Sequence, residues 1–167
     1  HLKTQLSSPN LQNQIDTAKL MRYVSDEVMP KLIIKVLNGN NTQAQAVVVQ
    51  YIKRFKPYAA TPLLRQVFDI DNLPLKQVAA EAVTRVFRIQ KKGVEIPADI
   101  NEAVTQTTHD ALTSDDSEIR NVGADMLKDV ADAGELQKLI ELGINSDDVY
   151  VKTKATKAIR YMEADET

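Results

Sequence analysis

The chain has 167 residues, 26% of them charged, with a formal net charge of −2, no cysteine and no tryptophan. That length suits one domain with a proper core. The missing cysteines exclude disulfides and thiolate metal sites, and the charge balance offers no bulk basic field of the kind that attracts nucleic acid.

The chain opens on His1 rather than Met, which reads as processing or cropping and leaves room upstream for a signal peptide, an anchor or further repeats. Residues 1–9 read as an N-terminal extension or tag remnant. No compartment is fixed by composition; the cytoplasm is the default expectation, and the periplasm the alternative if a leader was removed. No apolar run approaches the ~18 residues that suggest a membrane span; Val47-Val48-Val49 is the densest cluster.

From residue 10 onward the apolar residues follow one face of a helix. The clearest case is at the C-terminal end, where residues 112–128 align without a gap on residues 144–160 at an offset of 32. A period of that size with helical spacing predicts a stacked-repeat architecture. Four slots define the repeat: apolar at v, small at v+4, small or apolar at v+7, and apolar at v+8. In chain order they are filled by Asn13, Thr17, Leu20 and Met21 (a degenerate copy); Ala44, Val48, Tyr51 and Ile52; Leu75, Ala79, Ala82 and Val83; Ile119, Gly123, Met126 and Leu127; and Val151, Ala155, Ala158 and Ile159. The long step between the third and fourth copies is an insertion at 91–97, where Gly93 and Pro97 predict a loop.

Ser, Asp or Asn precedes these helices, and the pairs Asp71/Asn72, Ser114/Asp115 and Ser146/Asp147 are the expected N-caps. Partner helices are predicted over 26–38, 59–70, 98–113 and 133–145, with Pro30, Pro62 and Pro97 at or near three of the starts. The expectation is an all-α fold: a right-handed α-solenoid of antiparallel helix pairs over 10–163, about nine helices, with a short tail at 164–167.

The repeats resemble the HEAT family. Asp147-Asp148 followed by Val151-Lys152, Ala155 and Ala158-Ile159 matches its Asp turn and Val-Arg-x-x-Ala-x-x-Ala-Leu helix; Asp115-Asp116 with Ile119-Arg120 and Asp71 with Leu75-Lys76 match next best. The first two repeats depart, with Gln45 for the basic residue and Val48 for Ala. The short period is similar to that of the subtype named after bilin lyases. This resemblance implies a curved interaction scaffold, and it implies that the residue at v+1 (Gln45, Lys76, Arg120, Lys152) reaches a neighbouring turn Asp. The alternatives it carries are a bilin lyase-type subunit and a HEAT-like DNA-binding or glycosylase module. Ankyrin and tetratricopeptide patterns fail, since only Thr61-Pro62-Leu63 hints at the former and Trp is absent for the latter.

No catalytic constellation is present. His1 and His109 lack Cys or carboxylate neighbours at ligand spacing, and there is no nucleophile elbow or phosphate loop. The run from Asp69 fails as a calcium loop, with Pro74 where Gly is needed and Ala80 where Glu belongs. No cofactor or metal is expected, and the paired aspartates recur once per repeat, as caps do. The functional expectation is a non-catalytic scaffold that docks a protein or peptide through a basic row, Lys53, Arg85, Lys128, Lys152 and Arg160, supplemented by Lys154 and Lys157. A regularly spaced row suits an extended peptide better than a small molecule, and the charge balance argues against nucleic acid.

Overall fold

The helix starts of the five repeat copies obey one rule: an Asn or Asp side chain accepts from backbone N–H groups of the first turn, satisfying donors the helix itself leaves unpaired. Asn10 accepts from Gln12 N (2.9 Å), Asn41 from Ala44 N (3.1 Å) and Asn72 from Leu75 N (3.0 Å). Asp116 accepts from Glu118 N (2.8 Å) and Asp148 from Tyr150 N (2.8 Å). The caps are spaced 31, 31, 44 and 32 residues apart, so the sequence period is written into the local chemistry of each helix start.

The computed structural model describes residues 1–89 and 94–165. It is all-α, with no strand among those residues. In order they form α1 (Leu2–Gln5), α2 (Leu11–Leu20), α3 (Met29–Leu37), α4 (Thr42–Val49), α5 (Pro57–Phe68), α6 (Leu73–Val83), α7 (Ala98–Leu112), α8 (Ser117–Met126), α9 (Ala133–Ile144) and α10 (Val149–Asp165). Short 3-10 turns follow α2, α4 and α8, and a π-helical stretch, Thr84–Ile89, follows α6. No described helix is long and apolar enough to cross a membrane.

The chain divides into two units, His1–Glu95 and the residues from Ile96 onward. In the first, α2, α4 and α6 form one row, each touching the next, while α3 packs on α4 and α5 on both α3 and α6. Met21, Met29, Ile33, Ile52, Leu63, Leu64 and Leu75 are buried at its centre, each stabilising the fold by roughly 1.5–3 kcal/mol. In the second, α7 pairs with α8 and α9 with α10, and the pairs join through α7 on α9 and α8 on α10. Small residues set these approaches. A Cβ at Gly123 would lie 2.7 Å from the Leu112 nitrogen and 2.9 Å from Ala111 Cβ, and one at Gly143 would lie 2.8 Å from Ala155 Cβ.

Several local expectations are corrected. The caps of α8 and α10 are the second aspartates: Ser114 Oγ accepts from Asp116 N (3.1 Å) and Ser146 Oγ from Asp148 N (3.2 Å), folding the turn so that Asp115 and Asp147 lie outside it. Before α6 the cap is Asn72 rather than Asp71. Pro62 is inside α5, not near its start, which belongs to Pro57. Thr61 Oγ1 donates to the Pro57 carbonyl (2.7 Å) one turn back, beside the point where Pro62 supplies no N–H. The v+4 and v+8 slots are buried except for partly covered Ile159, but Ile119 is 37% exposed, and Asn13 and Leu20 are exposed too. Those three sit on α2 and α8, each the first helix of its row within its own unit. The segment read as an extension includes α1, with Leu6 buried after it, and α10 runs through Asp165 into the expected tail. Of the expected insertion loop, Lys91, Lys92 and Gly93 lie outside the described residues, and 94–97 is irregular.

Candidate functional site

Three members of the v+1 column, four residues after each cap, are built into the fold. Gln14 Nε2 donates to the Ser8 carbonyl (2.6 Å). Buried Gln45 donates to the Leu37 (3.0 Å) and Gly39 (2.8 Å) carbonyls, and Arg120 Nη1 to those of Ser114 and Asp115 (2.9 Å each). Each side chain thus ties off the turn that enters its own helix. Two of them also reach the next cap in the row: Gln14 Oε1 accepts from Asn41 Nδ2 (3.2 Å), and Arg120 Nη2 lies 3.9 Å from Asp148 Oδ2. Lys152 occupies the same position on α10 and is exposed, with no ion pair among the described residues.

Of the other expected contacts, Lys53 follows α4 and is half-buried, Arg85 is exposed on the π-helical stretch, and Lys128 is exposed in the 3-10 turn after α8. Arg160 is exposed near the end of α10. Lys53 and Arg85 therefore belong to the first unit, and Lys128, Lys152 and Arg160 to the second. Asp129, next to Lys128, is only 2% exposed and faces inward. Lys154 is not a free outward cation: its Nζ donates to Asp125 Oδ1 (2.7 Å) and lies 5.2 Å from the centre of the Tyr150 ring. The Tyr150 hydroxyl donates to the same oxygen (2.8 Å). Burial pushes the Asp125 carboxyl up, but the hydrogen bonds and charge of Lys154 and the Tyr150 hydroxyl outweigh it and hold Asp125 below the ordinary aspartate value.

Dividing the charges by unit exposes what the whole-chain sum hides. Residues 1–95 carry fourteen Lys and Arg against seven Asp and Glu, a formal +7; residues 96–167 carry seven against sixteen, a formal −9. In the first unit the cations gather at the C-terminal ends of α2, α4 and α6. Arg22 lies 4.7 Å from the centre of the Tyr23 ring. Arg54 donates to the Arg22 carbonyl (3.0 Å) and to Asp26 Oδ1 (3.1 Å), which fastens the end of α4 to the end of α2. The Tyr51 hydroxyl donates into the same end, 3.1 Å from the Lys19 carbonyl. Burial raises the Tyr51 phenol while the positive charges of Arg22 and Arg54 pull it down, leaving it above its ordinary value. The turn Ile52–Arg54 also touches the stretch Thr84–Ile89, which carries Arg85 and Arg88.

His109 is exposed, its Nδ1 3.4 Å from Asp110 Oδ1. Among the described residues no group of three or more His, Cys, Asp or Glu side chains is placed to hold a metal ion. Compared with known proteins, the chain matches no family model, and a search of curated proteins finds no relative of it.

Proposed function

We propose that this chain is a non-catalytic docking module built of HEAT-like helix pairs in solenoid order, which holds a protein or peptide segment on the surface of its long helix row. The observation that supports it best is the recurring pair of cap and v+1 side chain, at Asn41 with Gln14 and at Asp148 with Arg120. It commits those polar side chains to joining helices, while Arg85, Lys128, Lys152 and Arg160 are exposed and Lys53 is half-buried. Lys53, Arg85, Lys128, Lys152 and Arg160 are the residues assigned to that contact. Rim charges of this kind act mainly on association rate and salt sensitivity.

The test is affinity capture from a lysate of the source cells, with the wild-type chain and a variant carrying all five residues as Glu. A partner held by wild type at low salt and lost by the variant, with unchanged melting temperature, is the expected result. A wild-type chain that captures nothing sinks the docking reading. Equal capture by both sinks the row.

A further inference from the structure

One edge of the first unit deepens the docking reading, on which the inference rests. The relevant edge is the one where α2, α4 and α6 end. Arg54 binds the Arg22 carbonyl there, and the turn after α4 touches the stretch after α6, so the three helix ends lie side by side. Lys56 and Arg85 are exposed on it and make no ion pair among the described residues. The cations already engaged, Arg22 with Tyr23 and Arg54 with Asp26, are also exposed residues. Exposed apolar side chains are close by in sequence: Leu20, Tyr23 and Val28 are 53%, 73% and 48% exposed, and Tyr58 is 79% exposed two residues past Lys56.

We infer that this edge of the first unit is the docking surface, and that its ligand is an extended acidic protein segment carrying an apolar side chain. Three features favour that chemistry. The unit's formal charge of +7 is complementary to an acidic ligand, whereas Lys128, Lys152 and Arg160 belong to a second unit that carries sixteen carboxylates. Adjacent helices in a packed row are about 10 Å apart, the span of about three residues of extended chain, so a segment with an acid at every third position meets successive helix ends. The exposed apolar side chains next to Arg22 offer it an anchor, as buried aromatics do at protein interfaces. A single-stranded nucleic acid would instead stack successive bases on open aromatic faces; of the first unit's two exposed tyrosines, Tyr23 already has the Arg22 guanidinium against its ring, which leaves Tyr58 alone.

The experiment uses fluorescence anisotropy on the full chain with two labelled probes. One is a fifteen-residue peptide with Asp or Glu at every third position and two leucines; the other is a single-stranded oligonucleotide of similar length. Three proteins are compared: wild type, Lys56→Glu/Arg85→Glu in the first unit, and Lys152→Glu/Arg160→Glu in the second, each checked for an unchanged melting temperature. Wild type should bind the peptide more tightly than the oligonucleotide, and more weakly as salt is raised. The first-unit pair should weaken peptide binding by about tenfold or more, and the second-unit pair by about twofold or less, since only fully exposed charges outside the edge change. Tighter binding of the oligonucleotide, equal losses from the two variants, or no peptide binding by wild type each overturns the inference. If lysate capture by wild type still succeeds in those cases, the docking reading stands and only this surface and ligand fall.

Discussion

Asp148 does two jobs with its two carboxylate oxygens: Oδ1 accepts from the first-turn amides of α10, and Oδ2 faces the Arg120 guanidinium and the Ser117 hydroxyl of α8. The start of one helix is thereby tied to the flank of its neighbour. Asn41 does the same between α4 and α2, through the Leu11 carbonyl and Gln14.

Replacing Asp148 should therefore cost more than replacing an ordinary cap. Asp148→Ala is expected to destabilise by about 1–3 kcal/mol, combining a lost cap with a lost charged hydrogen-bond partner. Asp147→Ala, one residue away and exposed, should change stability by about 0.5 kcal/mol or less. Urea midpoints for the two variants decide it; equal midpoints would mean that the turn carries no such division of labour.

Gly123 is where α8 meets the end of α7. Gly123→Ala would normally help a helix by roughly 1 kcal/mol, but here the new methyl meets a backbone nitrogen at 2.7 Å, and backbone cannot step aside. The expected outcome is a net loss of about 1–3 kcal/mol. A higher melting temperature than wild type would contradict the close approach.

Ala155 and Lys154 are neighbours with opposite surroundings. Ala155→Leu forces extra methylenes against Gly143 and should cost about 1–3 kcal/mol. Lys154→Leu loses the partly exposed pair with Asp125, worth about 1 kcal/mol or less. The ordering, read from thermal or urea unfolding, is the check: a larger loss at Lys154 would place the helix phase of α10 wrongly.

The same ion pair gives a pH signature. Asp125 has a folded-state carboxyl below its ordinary value, so its contribution is present above the ordinary aspartate range and is lost as pH falls through the folded value. Lys154 is raised by the hydrogen bond to Asp125, and its contribution is lost only on the alkaline side. Melting temperature should therefore fall less steeply below about pH 4 in Asp125→Asn than in wild type. Parallel acid limbs for the two proteins would remove Asp125 from the account.

Much of the helix pattern was legible because the repeat is periodic and the slots v+4 and v+8 need small or apolar residues wherever two helices meet. Ala79, Ala155, Met126 and Leu127 fell inside as their spacing requires. Cap positions were less legible, since Ser-Asp-Asp offers three candidate side chains and only the turn geometry picks the last. Ile119 and Leu20 read as inward because a sequence repeat marks a slot without saying how fully other helices cover it. The charge division between the units was missed because counting over the whole chain cancels it; only the boundary near residue 95 makes the two sums meaningful.

The shared caps have a kinetic consequence. When α2 loosens, the side-chain acceptors that Asn41 binds there go with it, and the first turn of α4 loses part of its anchoring; α8 and α10 stand in the same relation. Opening should then run along each row as a chain of dependent events rather than as independent fraying of helix ends. Amide exchange at Ala44 and at Tyr150 would follow the slower opening of the helix before each, so a probe placed on one helix start reads the integrity of its neighbour.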